Sequence, residues 1–282
     1  MQFCVIKSLF SMIETSSRNL LFLLFLQALL LSEAQADTIA VLAVGSKGLE
    51  NYRHQADVCH AYHALLAHGI QPERLYVLSV DDAVSSPLNP WPGQLFNTPS
   101  SFDYHSGCII DFRAEDATKM NFELLIEVLS NDPIAPPFVI ESLPFLFIYF
   151  VDHGGNDILA FPDGWLTGEQ LRSIALRARR KFRVIMFIEA CRAGSLFSTT
   201  LPRGVLAVTA ANASGPSFGI FCNHGICLAD DFSAAWINAL DSSVNQTLGV
   251  LISEIERNTL KSWVSVFGDS AMLSLSVDQI FS

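Results

Sequence analysis

The stretch Phe182 to Ser195, FRVIMFIEACRAGS, limits what this chain can fold into more than any other. Phe182 to Ile188 is almost continuously apolar, the pattern of a buried strand. It stops abruptly at Glu189, Ala190 and Cys191 and opens into a small-residue turn at Ala193, Gly194 and Ser195. An earlier run, Pro144 to Val151 (PFLFIYFV), breaks the same way into Asp152, His153, Gly154 and Gly155. Between them lie an apolar patch from Ile158 to Phe161, a turn, and a helix-like segment from Gly168 to Lys181, which together read as one strand–crossover–strand unit. If the two strands are parallel neighbours, the thiol of Cys191 and the imidazole of His153 emerge together at the edge where open α/β sheets carry their sites. The alternative is an inert buried cysteine and a loop histidine; the matched strand ends favour a shared cleft.

A length of 282 residues, half of them apolar, suits one sizeable domain. The N-terminal part reads differently. Leu20 to Leu31 follows Arg18, is short for a membrane span, and leads to Ala34-Gln35-Ala36, so residues 1–36 are expected to be a signal peptide and 37–282 the folded domain. An N-terminal anchor is the rival reading; after signal removal no stable membrane anchor is expected. The expected destination is the secretory pathway, with a lysosomal, vacuolar or secreted product. Residues 1–36 carry no net charge, so the remainder keeps the formal −11, which argues against a nucleic-acid partner.

Without Cys4, five cysteines remain, so at least one thiol is expected to be free. Cys222 and Cys227 bracket a short loop and can close a disulfide in an oxidising compartment. A zinc site using His224 has too few ligands at standard spacing, and no metal or other cofactor is expected.

The rest of the chain alternates strands and helices. Strands are expected at Thr38 to Val44, Arg74 to Val80 and Val205 to Thr209, with Val264 to Phe267 and Met272 to Val277 as a closing strand pair. Helices are expected at Asn51 to His68, Ala117 to Ser130 opened by Thr118, Ala229 to Leu240 and Thr247 to Lys261. The glycines after the first strand lack phosphate-loop spacing. Asp81 and Asp82 end the second strand, where a solvated turn or cap is favoured over a metal or acid/base role. The sum is a three-layer α/β/α sandwich with a mostly parallel central sheet.

A thiolate nucleophile needs a neighbouring imidazole to form and to protonate a leaving amine, and backbone N–H groups near Gly154 and Cys191 can meet a developing oxyanion. The order His then Cys matches a caspase-like pattern rather than a papain-like one. Asn51-Tyr52-Arg53-His54-Gln55-Ala56-Asp57, Asp152-His153-Gly154, Ile188-Glu189-Ala190-Cys191 and Thr209-Ala210-Ala211-Asn212 together resemble the legumains, asparaginyl endopeptidases of the caspase-like clan. That resemblance runs from about Thr38 to the C-terminus.

It implies a caspase-like fold and cleavage of peptide or protein substrates after exposed Asn, with Asp accepted only when protonated. It also implies Cys191 as nucleophile, His153 as general base then acid, and Asn51 orienting the histidine. The matching pocket positions are Arg53, His54, Glu189, Ser217 and Asp230; Arg53 can donate to a carboxamide oxygen while Glu189 and Asp230 accept from its NH₂. Ser217 and Asp230 lie in a loop that is slightly shorter than the legumain pattern. The C-terminal prodomain of legumains is expected to be absent from this sequence. Of two glycosylation sequons, Asn212 lies beside the pocket and Asn245 is the usable one.

A transamidase of GPI-anchor assembly shares the His and Cys motifs, but its Gly before His-Gly and its Asp-Thr-Cys are replaced here by Asp152 and by Glu189-Ala190. The same motifs are compatible with peptide ligation by an incoming amine and with an inactive binding protein of the same fold.

Overall fold

The computed structural model describes residues 38–100, 102–131, 139–223 and 225–281. The signal-peptide reading and His224 lie outside these residues.

The two apolar runs become β4 (Phe145–Val151) and β8 (Arg183–Glu189), which pair in parallel at the centre of a seven-stranded sheet. Around them stand β1 (Ile39–Val44), β2 (Leu75–Ser79), β3 (Phe112–Arg113), β9 (Val205–Thr209) and β12 (Ser265–Gly268), in the order β12-β9-β8-β4-β1-β2-β3. Only β12 runs antiparallel to its neighbour, Ser265 facing Thr209.

A strand that is apolar at every position must be covered on both faces, and successive side chains sort accordingly. Phe145, Phe147, Tyr149 and Val151 join one core with Val58, Tyr62 and Leu65 of α1 (Tyr52–Ala67), Phe232 and Trp236 of α4 (Asp231–Asp241), and Leu251 and Ile255 of α5 (Leu248–Asn258). Leu146, Ile148 and Phe150 join a second core with Phe122 and Ile126 of α2 (Lys119–Leu129) and Leu171 and Ile174 of α3 (Gly168–Ala178). The architecture is the expected three-layer α/β/α sandwich. Thr118 caps α2 by accepting from the Asn121 N–H, and Thr167 with Gln170 forms a capping box on α3.

Several expectations are corrected. Met272 to Val277 is not a strand: a 3-10 turn occupies Ser270–Ser274 and a short helix, α6, spans Val277–Phe281. The alternating residues there suggested a strand, but Val277, Ile280 and Phe281 bury at helical spacing, with the Phe281 ring 5.1 Å from Phe147. Ala229 and Asp230 do not begin a helix; they form β11, paired antiparallel with β10 (Gly219–Ile220), and α4 starts at Asp231. The crossover between β4 and β8 contains a small antiparallel sheet of β5 (Gly154–Gly155), β6 (Ile158–Phe161) and β7 (Gly164–Thr167).

Neither carboxylate at the end of β2 is a solvated turn group. Asp82 accepts from the Gly48 N–H at 2.9 Å and from Gln55 Nε2 at 2.7 Å, while Asp81 pairs with His105 and Arg113. Cys222 and Cys227 form the expected disulfide, and a second, unforeseen one joins Cys59 to Cys108. Cys191 is the free thiol among the described residues, and none of their helices is long and apolar enough to cross a membrane.

Candidate active site

The register of β4 against β8 builds the site. Val151 lies opposite Glu189, and the Asp152 N–H donates to the Glu189 carbonyl at 3.0 Å. His153 and Cys191, each two residues further on, therefore leave adjacent strands at the same carboxyl edge. Gly154 follows so closely beneath the end of β8 that an added Cβ would stand 2.4 Å from the Cys191 carbonyl oxygen and 3.0 Å from Ala190 Cβ. After Cys191 the chain turns sharply through Arg192, which has a left-handed φ of 56° and an N–H bonded to the Gly215 carbonyl.

Asn51, at the cap position of α1, reaches across to His153, its Oδ1 lying 2.9 Å from Nε2. Its own Nδ2 donates to the Lys47 carbonyl at 2.9 Å, which fixes Oδ1 as the acceptor. His153 therefore carries its proton on Nε2 and keeps the Nδ1 lone pair free for a proton. His153 is exposed, and Cys191 is half-buried. The Ser217 N–H points at Cys191 Sγ at 3.3 Å, and the Ser217 hydroxyl lies 3.7 Å from the same sulfur.

Below this pair lies a buried group of charges. Arg53 Nε donates to Asp230 Oδ1 at 2.8 Å. His54 Nδ1 meets the Ser46 hydroxyl at 2.7 Å, its Nε2 lies 3.4 Å from Asp230 Oδ2, and Asp152 Oδ1 is 3.2 Å from Nδ1. Glu189 Oε2 accepts from both the N–H and the hydroxyl of Ser233. Three carboxyl groups of this interior have atoms with no hydrogen-bond partner: Glu189 Oε1, Asp230 Oδ2 and both oxygens of Asp152.

Burial dominates the electrostatics. It holds the Glu189 carboxyl well above its ordinary range, helped by the Asp230 charge and opposed by hydrogen bonds from Ser217 and Ser233. Asp57, fully buried behind Asp230, is raised for the same two reasons. Asp152 is pushed up to about 6 by burial. His54 is pushed down to about 3, because burial outweighs the attraction of Asp230.

All nine residues singled out by sequence thus converge on one edge of the sheet. Residues not singled out support them. Asp57 accepts from the Asp230 N–H at 3.2 Å and from Asn97 Nδ2 at 2.6 Å, Asn97 also donates to the Leu228 carbonyl, and Ser233 braces Glu189. Asp57 and Asp152 stand inside the quoted motifs, whereas nothing local marks Asn97 or Ser233. Asn245 is exposed, while Asn212 is half-buried with Oδ1 occupied by the Ser214 and Gly215 N–H groups.

A family model described as the Peptidase C13 family matches residues 38–282. A hemoglobinase of Schistosoma japonicum is 39% identical over 254 residues, covering 85% of this chain and 59% of that protein. A legumain of Mus musculus is 34% identical over 255 residues, covering 85% and 58% respectively. A vacuolar-processing enzyme of Phaseolus vulgaris is 32% identical over 271 residues, covering 85% and 55%. The chain therefore spans 55% to 59% of the length of these relatives. Among solved structures, the crystal structure of caspase-1 from Spodoptera frugiperda matches with a TM-score of 0.53 at 10% identity, over 86% of this chain and 89% of that one, so the fold is caspase-like.

Proposed function

The chain belongs to the Peptidase C13 family, and we propose that it is a cysteine endopeptidase cleaving peptide bonds after Asn, and after Asp in acid. The observation that carries this reading is the pairing of strand ends that sets Cys191 beside a histidine whose tautomer Asn51 fixes. His153 Nδ1 takes the thiol proton, and the thiolate attacks the carbonyl carbon of the scissile bond. The N–H groups of Gly154 and Cys191 receive the oxygen as it becomes anionic. Collapse of the tetrahedral intermediate breaks the C–N bond, His153 returns its proton to the leaving amine, and a thioester remains on Cys191. Water, deprotonated by His153, then hydrolyses it. The Ser217 N–H, directed at the sulfur, holds the Cys191 side chain in place.

The buried charges supply selectivity. Glu189 Oε1 and Asp230 Oδ2 make no hydrogen bond of full geometry, and a carboxamide brings two N–H groups to meet them. Arg53 lies beside Asp230 to meet the carboxamide oxygen. An apolar side chain would leave these groups unpaired, a penalty that supports discrimination of roughly 10⁴-fold. An aspartate brings a charge and no donor, so it enters once protonated.

The two disulfides fit folding in the oxidising secretory pathway, with a lysosomal, vacuolar or extracellular destination. The test is turnover of fluorogenic peptides ending in Asn, Asp or Arg from about pH 4 to 8, with Cys191→Ala as control. Release after Asn that depends on Cys191, and after Asp only in acid, is expected. Release after Arg, or release surviving in Cys191→Ala, overturns the reading.

A further inference from the structure

One feature of this edge is unused by peptide cleavage: the side chain of Asp152. It is 3% exposed, and no donor meets its oxygens at full hydrogen-bond geometry; His54 Nδ1 at 3.2 Å, Ser46 and the His153 N–H lie around it. A buried carboxylate with so little compensation is costly and favours a proton or a cation. Two imidazoles converge on it. His54 Nδ1 lies 3.2 Å from Oδ1, the His54 and His153 rings meet edge to face at 5.2 Å, and one ligand atom from each of the three residues lies within 4.8 Å of the others.

We propose that His54, Asp152 and His153 form a binding site for a divalent zinc-type cation that switches the peptidase off. Two histidine nitrogens and one carboxylate oxygen are a standard donor set for zinc, with the fourth position left to water. Tetrahedral donors around zinc stand roughly 3.4 Å apart, so from their present limit of 4.8 Å the three groups need to close by up to about 1.4 Å. His153 is the exposed member and gives the ion its way in from the cleft. The Asp230 carboxylate, paired with Arg53 at 2.8 Å, offsets the repulsion of that guanidinium. An ion held by either nitrogen of His153 stops the reaction: at Nδ1 it takes the lone pair that receives the thiol proton, and at Nε2 it displaces Asn51.

The proposal shares residues with the peptidase reading, but it is tested without turnover, so either can fail alone. Cobalt(II), whose visible absorption reports tetrahedral coordination, is titrated into the full chain and into its Cys191→Ala form. One equivalent should bind to each, with no thiolate charge-transfer band, and zinc should displace it. Asp152→Asn and His153→Ala should each weaken binding more than about tenfold; His153 is exposed, so its variant retains the fold if Asp152→Asn does not. Asp81→Asn, which alters the separate carboxylate beside His105, should leave binding unchanged. The proposal is overturned by absence of cobalt binding, by a charge-transfer band that Cys191→Ala abolishes, or by binding that survives His153→Ala.

Discussion

Raising the pH above about 6.5 should progressively weaken this fold, and Glu189→Gln should remove about half of that loss. The cause is the interior behind the site, where burial raises Asp57 and Glu189 far above the ordinary carboxylate range. A carboxyl raised in this way keeps its proton in the folded chain after the unfolded chain has released it. Its stabilising contribution is complete at low pH and is lost as the pH climbs towards the folded pKa, at about 1.4 kcal/mol per pH unit for each proton. Two such groups together give a slope on the order of −3 kcal/mol per unit above pH ~6.5, where Asp152, at about 6, has largely spent its own contribution and the half-buried His105, raised by Asp81, adds in the same sense.

Below that point two buried histidines act in the opposite sense. His54 is lowered to about 3 and His60 to about 4, both mainly by burial. The unfolded chain takes up their protons below pH ~6.5 and the folded chain refuses them, so stability falls as the pH drops. Between pH ~4.5 and ~6 the raised carboxyls and these lowered histidines act in opposite senses and largely offset one another. The profile is therefore shallow in acid and steeper above neutrality. Urea unfolding of the Cys191→Ala protein, which cannot cleave itself, measures it across the range. A profile that is flat or rising above neutrality, or one unchanged by Glu189→Gln, refutes the assignment of retained protons to this interior.

Two further outcomes follow from geometry. Gly154→Ala places a methyl group against the Cys191 carbonyl and Ala190; turnover should fall by roughly 10²-fold or more, while overpacking costs only about 1–3 kcal/mol of stability, both read on one purified variant. Replacing Cys59 and Cys108 by Ser opens a link across a sequence separation of 49 and should cost about 4 kcal/mol on the chain-entropy account. The same change at Cys222 and Cys227, separated by 5, should cost less in a paired urea titration.

The central sheet was legible because β4 and β8 are apolar at nearly every position, which only a strand covered on both faces tolerates. The shared edge of His153 and Cys191 was legible because each run breaks at its functional residue. The C-terminal segment misleads because Met272 to Val277 alternates at strand spacing; its burial against Phe147 depends on α6, which the local pattern does not announce. The Cys59–Cys108 link was not readable, since Cys59 occupied a helix position and its partner lay in a long loop. The nine residues named from the motifs lie together at one sheet edge; the roles given to them belong to the proposal. Their supports did not show, because Asn97 and Ser233 act through contacts made only after α1, the loop following β2, and α4 meet.

The most direct test of the peptidase reading is capture of the thioester. The protein is mixed with an Asn-containing peptide, quenched in acid within the first turnover, digested and weighed by mass spectrometry. The account expects the segment carrying Cys191 to gain the mass of the peptide's N-terminal portion ending in Asn, and the Cys191→Ala protein to gain none. An adduct on any other residue, or cleavage after Asn that proceeds in Cys191→Ala, would contradict it.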